Sequence, residues 1–478
     1  MRENVSNMVA LLLKAVVFTV ITAIFFGVYS IQHPWLLKLS RTTGITLVTF
    51  IVLLFVLTVA YGGFAVGKQK SKPIIYSMVI SSVITDVITT LQLSIMNTHD
   101  GFRDRFVFAS PLALLGVMAA QIVFIIPFTY FSNYLYFKFK RPERSCVITK
   151  SDEDANEIIA KISRFKKQYE ITDIIMYDSP ELYKVINRND TVFIYEIPMG
   201  ERDRIVEYCY RCMKNIYYNF EICDIVSYGS GSMMLDDKAL VMSEVKGLTI
   251  GQRFAKRLLD ILLSFVMLII ASPFMLVCAL LIKLDDGGSV FFRQKRATRD
   301  GRVFSVLKFR TMKEDNSVNR SVTTDDDRIT RVGAKLRKFR LDELPQIINI
   351  FLGDMSIVGP RPEMLENVEK YTEQLPEFSY RLRVKAGLTG FAQLSGKYNT
   401  SPKDKLVMDL MYIEQYSIWS DIKLIFQTLT VFLKASDSTE AFKTSEEYEF
   451  FCADDQNAEK SNAEEQATEA KEDTQQEE

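Results

Sequence analysis

Four long apolar stretches open this 478-residue chain, and they restrict it more than any other feature. They run roughly over Met8–Tyr29, Gly44–Val66, Ile74–Met96 and Phe106–Phe137. Each meets the about twenty residues that a helix needs to cross a bilayer. Hydrocarbon offers no water to backbone N–H and C=O groups, so such stretches must close their hydrogen bonds internally as helices. The first lacks a small-residue cleavage site and reads as a spanning helix rather than a signal peptide. Lys68, Lys70 and Lys72 follow the second stretch, and Lys138, Lys140, Arg141 and Arg144 follow the fourth. This bias predicts both ends of the four-helix region inside the cell, with everything after residue 140 cytosolic. Asp86 interrupts the third stretch and is expected to face the bundle interior as a structural polar group.

The formal charge of −1 leaves no global field that would attract nucleic acid. Six cysteines, at 146, 209, 212, 223, 278 and 452, form no disulfide framework and imply a reducing compartment. Cys209 and Cys212 have metal-like spacing but no second pair, so they read as two thiols on a helix. The two histidines, His33 and His99, fall in loops expected outside the cell. Cytosolic chemistry must then rest on carboxylates, Lys/Arg and a metal.

Between residues 141 and 235, strand-like and helix-like runs alternate. Ser145–Thr149, Asp173–Tyr177, Thr191–Tyr195 and Asp224–Ser227 read as strands; Ala155–Gln168 and Glu201–Asn215 read as helices. The alternation predicts a parallel, Rossmann-like sheet. A dinucleotide site needs glycines at the first strand-to-helix turn. Here that turn reads Thr149-Lys150-Ser151-Asp152-Glu153-Asp154, whose three acids would repel a phosphate. Gly229-Ser230-Gly231-Ser232 reads as a turn or linker.

A fifth apolar run, Leu258–Ile282, is long enough to span, yet basic residues stand on both sides: Lys256 and Arg257 before it, Lys283, Arg293, Lys295 and Arg296 after it. That pattern favours both ends remaining cytosolic. Pro273 removes a backbone donor and predicts a kink at Ser272-Pro273. A re-entrant helix, entering and returning on one side, reconciles the apolar length with the flanks.

The region 291–427 is dense in charge set among turns. Lys308-Phe309-Arg310 would place two cations on one face of a strand. Asp325-Asp326-Asp327-Arg328 is an acidic cluster with a cation. Asp342-Glu343 is an adjacent acid pair in a cationic neighbourhood, flanked by Arg337, Lys338 and Arg340. Phosphoryl transfer asks for cations on the phosphate oxygens, an oxygen-bound Mg²⁺ and an in-line nucleophile. By charge alone, a structural ion-pair network would explain the pair equally well.

Lys256-Arg257 through Asp421 closely resembles the catalytic domain of the bacterial sugar transferase family, the monotopic polyprenyl-phosphate glycosyl-1-phosphate transferases. The matching blocks are the helix with its Ser-Pro bend, Lys308-Phe309-Arg310, Leu341-Asp342-Glu343-Leu344-Pro345-Gln346, Gly359-Pro360-Arg361-Pro362 and Gly387-Leu388-Thr389-Gly390. The resemblance implies a sugar phosphate, a hexose phosphate rather than an N-acetylated one, moved from a UDP-sugar to undecaprenyl phosphate with release of UMP. It implies Asp342 as nucleophile, Glu343 as the Mg²⁺-binding acid, and Lys308, Arg337 and Arg361 as phosphate-binding cations. Ser272 and Pro273 match the bend of the re-entrant helix. The layout is similar to the family's large members, which initiate exopolysaccharide or capsule repeat units at the bacterial inner membrane, commonly as homodimers. The expected architecture is thus membrane α plus α/β: a four-helix transmembrane domain (1–140), a Rossmann-like domain without a nucleotide motif (141–235), a catalytic domain (236–433) and an acidic disordered tail (434–478).

Two rivals stand beside this reading. A non-enzymatic scaffold or transport component of polysaccharide assembly would be expected to show internal repeats, and none is visible. A transferase using a CDP-linked alcohol would carry several Asp at helical spacing, which Asp325, Asp326 and Asp327 lack.

Overall fold

The computed structural model describes residues 2–38, 40–67, 69–96, 111–243, 247–313, 328–396 and 400–433. Asp325–Asp327, His99 and the acidic tail lie outside the described residues. By contacts the chain divides into two units, Met1–Asp224 and Ile225–Glu478.

The first unit begins with helices α1 (Arg2–Gln32), α2 (Arg41–Ala60), α3 (Ser71–Met96) and α4 (Pro111–Phe139). All four are long and apolar enough to cross a membrane. Their core is built on Phe25, Tyr29, Phe50, Ile74 and Met78. Asp86 is buried in the bundle, where its Oδ1 accepts from Gln121 Nε2 at 3.1 Å.

Next come β1 (Glu143–Thr149), α5 (Asp152–Ile162), β2 (Tyr169–Met176), α6 (Leu182–Arg188), β3 (Thr191–Tyr195), α7 (Met199–Arg211), β4 (Asn215–Tyr218) and α8 (Ile222–Tyr228). The four strands make one sheet, ordered β2-β1-β3-β4 and parallel throughout, as the alternation predicts. One expectation is corrected. Asp224–Ser227 is helical, and the fourth strand lies at Asn215–Tyr218, where a helix was expected to be ending. A run this short has no distinguishing period. Tertiary contacts decide it: Asp224 receives both guanidinium nitrogens of the buried Arg202, at 2.7 and 2.8 Å, and also accepts from Glu221 N.

The first strand-to-helix turn is self-sealed. Ser151 caps α5 through Asp154 N and bonds the Asp154 carboxylate at 2.6 Å, so the helix N-terminus already carries an anion of its own. Cys209 sits in the core of this sheet, and burial pushes its thiol up to about 11. A protonated, enclosed thiol is a poor nucleophile and metal ligand.

The second unit takes in the end of α8 and then an antiparallel hairpin, β5 (Gly231–Leu235) and β6 (Lys238–Met242), where the sequence reads as a turn or linker through Ser232. Helix α9 (Ile250–Asp286) follows, a fifth helix long enough to span. It continues through Pro273 without interruption. Proline leaves the carbonyl of Ile269 without its helical donor, and the Ser272 hydroxyl supplies the replacement at 2.9 Å. The Ser-Pro pair is thereby a proline with its own repair.

Then come the hairpin β7 (Phe291–Ala297) and β8 (Val303–Phe309), α10 (Arg331–Lys338), α11 (Gln346–Leu352), β9 (Ser356–Val358), α12 (Leu365–Gln374), β10 (Gly387–Thr389), α13 (Phe391–Ser395), α14 (Pro402–Glu414) and α15 (Ile418–Leu433). Both halves of α9 pack against this set. Near its start, Arg257 donates to the Ile350 and Phe351 carbonyls at the end of α11, both at 2.8 Å. Asp260 accepts from Ser356 Oγ and Ile357 N of β9. Lys256 is buried and pairs with Asp421 of α15 at 2.6 Å. Near its end, Cys278 and Ile282 pack with Phe309 and Leu336, backed by Leu341 and Leu344. Lys283 caps the helix by donating to Gly287 O. The basic flanks that read as topology signals are thus also internal clamps.

Candidate active site

The site forms where the turn between α10 and α11, strand β8 and the loop after β9 come together near the end of α9. Arg340 adopts a left-handed conformation, φ 53°, immediately after α10. That conformation costs an ordinary residue about 1 kcal/mol or more and turns the chain sharply into a 3-10 turn, Leu341–Glu343. Leu341 and Leu344 face the apolar cluster of α9, leaving Asp342 and Glu343 half-buried on the other side.

Lys308 arrives from β8. The edge of that strand is held by Asn349 of α11, whose amide accepts from Leu307 N at 2.9 Å and donates to Ser305 O at 3.0 Å, in the manner of a neighbouring strand. Arg310 lies past the end of β8 with its guanidinium over Gly288, so strand alternation does not pair it with Lys308.

Arg361 arrives from the loop after β9. Its position depends on three close backbone approaches. A Cβ on Gly359 would lie 2.4 Å from Lys385 O, one on Gly387 2.1 Å from Gly359 N, and one on Gly390 2.2 Å from Gly359 O. Only glycine permits this packing, which explains the glycines in both matching blocks.

The groups converge on Glu343. Arg361 Nη2 donates to its Oε1 at 3.1 Å, and Lys308 Nζ lies 3.8 Å from the same oxygen. Burial works to raise the Glu343 carboxyl, but Arg361, Lys308 and then Arg340 outweigh it and hold it at about 2. Asp342 goes the other way. Burial raises it first and the Glu343 charge second, against the opposing pull of Lys308 and Arg337. Burial also lowers the Lys308 ammonium, with Glu343 opposing. Two adjacent carboxyls are thus driven apart, Glu343 lowered by its cations and Asp342 raised by burial and by the Glu343 charge. Arg337 is fixed by Nε donating to Thr311 Oγ1 at 2.8 Å.

The structure therefore brings Lys308, Arg337, Asp342, Glu343 and Arg361 together, while Ser272 and Pro273 stay within α9. Three neighbours were not singled out from sequence. Arg296 of β7 was read only as a basic flank, yet it feels the charges of Arg361 and Glu343 and donates to Pro362 O at 3.1 Å. Gln393, three residues past the last matching block, accepts from Arg361 Nη1 at 3.3 Å. Arg340 carries no motif, and only its unusual backbone reveals it.

The Glu343 shift has a testable sign. Its ordinary value is 4.5 and its folded value about 2, so the stability it contributes is complete above pH 4.5 and drains away as pH falls toward 2. Thermal unfolding of the purified protein and of Glu343→Gln should show a stability gap at neutral pH of at most about 3 kcal/mol that closes over this window. A gap unchanged with pH would contradict the assignment.

Residues 251–435 match the bacterial sugar transferase family. The chain is 43% identical to the UDP-glucose:undecaprenyl-phosphate glucose-1-phosphate transferase of Escherichia coli K12 over 38% of its own length and 40% of that protein. It is 38% identical to the Aeromonas hydrophila UDP-N-acetylgalactosamine-undecaprenyl-phosphate N-acetylgalactosaminephosphotransferase, over 38% of this chain and 44% of that one. It is 38% identical to the exopolysaccharide production protein ExoY of Rhizobium meliloti, over 37% of this chain and 84% of that one. The chain thus spans about two fifths of the first two relatives and most of the third.

Proposed function

The chain belongs to the bacterial sugar transferase family, and from that premise we propose that it moves a sugar 1-phosphate from a UDP-sugar to undecaprenyl phosphate, releasing UMP. In this reading the Asp342 carboxylate attacks the β-phosphorus. The bond to the α-phosphate oxygen breaks, UMP departs, and the sugar phosphate stays on Asp342 until undecaprenyl phosphate attacks the same phosphorus and restores the carboxylate. The observation that carries it is the division of labour between the carboxyls: Glu343 is held by Arg361 and Lys308, while the ion pairs among the described residues leave Asp342 out. Arg361, Lys308 and Arg337 would offer positive charge to the phosphate oxygens, as transfer of a phosphoryl group requires.

Mg²⁺ belongs to the same proposal. Among the described residues no three His, Cys, Asp or Glu cluster to enclose a metal. Mg²⁺ sites on phosphorylated substrates need only one or two carboxylates, with substrate oxygens and water completing the shell. Asp342-Glu343 fits that donor set, with Glu343 as the ligand. The ion would supply neutralisation of the diphosphate.

We read α9 as dipping into one leaflet, bending at Ser272-Pro273 and returning, in a chain whose first four helices cross the membrane and whose catalytic unit is cytoplasmic. In support, both halves of α9 contact the same folded unit, through Asp260 on β9 and Ile282 against Phe309. Contacts of this kind at both ends favour a path that enters and leaves on one side of a bilayer. Its outward side chains, including Leu262, Phe265, Ile269, Phe274, Val277 and Leu281, are exposed and apolar. They would rest in lipid beside the polyprenyl tail, where each buried methylene is worth about 0.8 kcal/mol. The carboxylates would then stand at the interface, where the lipid phosphate lies.

The test is UMP release from a panel of UDP-sugars, including UDP-glucose and UDP-N-acetylgalactosamine, with undecaprenyl phosphate and Mg²⁺. Donor-selective, chelator-sensitive release is expected, with a hexose donor preferred. No release from any donor would sink the proposal and favour a scaffold. Arg361→Met should lower release about 100- to 1,000-fold, the usual cost of one charge-stabilising donor. A loss under tenfold would remove Arg361 from the phosphate site.

A further inference from the structure

The loop Gly359-Pro360-Arg361-Pro362-Glu363 carries the guanidinium that donates to Glu343, yet its two prolines have no N–H with which to brace it. Its carbonyls must find donors elsewhere. Backbone supplies two bonds: Gly359 N donates to Thr389 O at 2.8 Å, and Gly387 N to Pro360 O at 2.9 Å. The next two carbonyls are taken by arginines. Arg381 Nη2 donates to Arg361 O at 2.9 Å, and Arg296 Nη1 to Pro362 O at 3.1 Å.

Arg381 differs from Arg296 in having no view of solvent. Its side chain is 4% exposed and stacks 4.8 Å from the Phe378 ring. The nitrogen that bonds Arg361 O also lies 2.7 Å from Asp409 Oδ2 of α14, a carboxylate that is 2% exposed. Glu363 Oε1 lies 3.7 Å from Nη1. A buried ion pair is a poor way to gain stability, because desolvation offsets the attraction. Burial pushes Asp409 up to about 6 even with Arg381 opposing. Such a pair calls for a reason other than packing.

Resting on the transferase reading above, we propose that Arg381, neutralised by Asp409, is a positioning residue: it fixes the Arg361 carbonyl so that the Arg361 guanidinium meets Glu343 and the donor's phosphates. Neither residue reaches the carboxylate pair itself. Asp409 orients Arg381, Arg381 orients the backbone of Arg361, and Arg361 acts on substrate.

The experiment replaces the pair with apolar side chains, Arg381→Met with Asp409→Leu, in the full-length protein in nanodiscs. Removing both charges together avoids an uncompensated buried ion, so thermal stability should stay near that of the wild type. If the pair positions Arg361, UMP release should still fall about 100-fold, the scale of a small misplacement at a reacting centre. Adding Arg361→Met should then cost little more, because the two act through one group. Wild-type turnover in the folded double variant overturns the proposal, as does a full additional loss on adding Arg361→Met. A second readout needs no turnover. A double-mutant cycle between Arg361→Met and Glu343→Gln, followed by thermal unfolding, measures the coupling of that ion pair. The coupling should be present in the native background and lost in the double variant; coupling that survives overturns the proposal. If the wild type releases no UMP, the functional reading fails, and this cycle still decides the positioning claim. Should the apolar pair not fold, Arg381→Lys takes its place in both measurements. It keeps the charge beside Asp409 but lacks the rigid planar guanidinium that fixes the direction of the bond to the Arg361 carbonyl.

Discussion

Asp342→Asn should abolish UMP release, by at least about 1,000-fold, in a protein that still folds. The substitution is nearly isosteric and sits on a half-buried turn whose anchors, Leu341 and Leu344, it does not touch. What it removes is the carboxylate that would bond phosphorus, and an amide oxygen at that place is no substitute. The electrostatics also predict the stability change. Asp342 is raised by burial and by the neighbouring Glu343 charge, so removing its charge relieves a repulsion, and the melting temperature should hold or rise slightly. Loss of activity with an unchanged or higher Tm is therefore the expected pair of results. Persistent release in the folded variant would take the nucleophile's role from Asp342. The raised carboxyl has a second consequence: the active, ionised form should be lost on acidification at a higher pH than for an ordinary aspartate.

Gly387→Ala should be among the most damaging single-methyl changes in the chain. The added carbon would stand 2.1 Å from Gly359 N and 2.6 Å from Gly359 Cα and Thr389 O. All three are backbone atoms, so no side chain can swing away. The strands β9 and β10 pair here in the register Gly387↔Ser356 and Thr389↔Val358, and the neighbouring bonds Gly359 N to Thr389 O and Gly387 N to Pro360 O brace the Arg361 loop. Relief must come from separating the two segments, which pulls Arg361 off Glu343. We expect a destabilisation of about 3 kcal/mol or more together with loss of UMP release. Gly251→Ala, where nothing lies within 4 Å, is the matched control and should be neutral or stabilising by a few tenths to about 1 kcal/mol. Equal behaviour of the two variants would show that the close approach is not what the glycine serves.

The helices long and apolar enough to cross a membrane were legible because hydrocarbon imposes one rule on every residue of a segment, so a local run of apolar residues is enough to reveal it. The parallel sheet was legible for a related reason: alternating short strands and helices admit few arrangements. Reading failed at Asp224–Ser227, where seven residues of helix, Ile222–Tyr228, carry no period and a bidentate contact from Arg202 settles the conformation. The site was half legible. Asp342, Glu343, Lys308 and Arg361 stand in recognisable blocks, and Arg337 lies four residues before one of them. The grounds for assigning Asp342 and Glu343 different work lie in partners far away in the chain: Arg361 and Lys308 at Glu343, burial at Asp342. Lys256, Arg257 and Lys283 show the limit most plainly. From sequence they were charges flanking an apolar run, and in the fold each is committed to a partner of its own unit. Composition and spacing by themselves determined that this chain enters the membrane and carries an acid pair among cations, because those properties belong to segments. Which carboxyl is held by cations, which glycine cannot bear a methyl and which arginine braces another were decided only by tertiary structure, because burial and pairing belong to residues that meet across long stretches of chain.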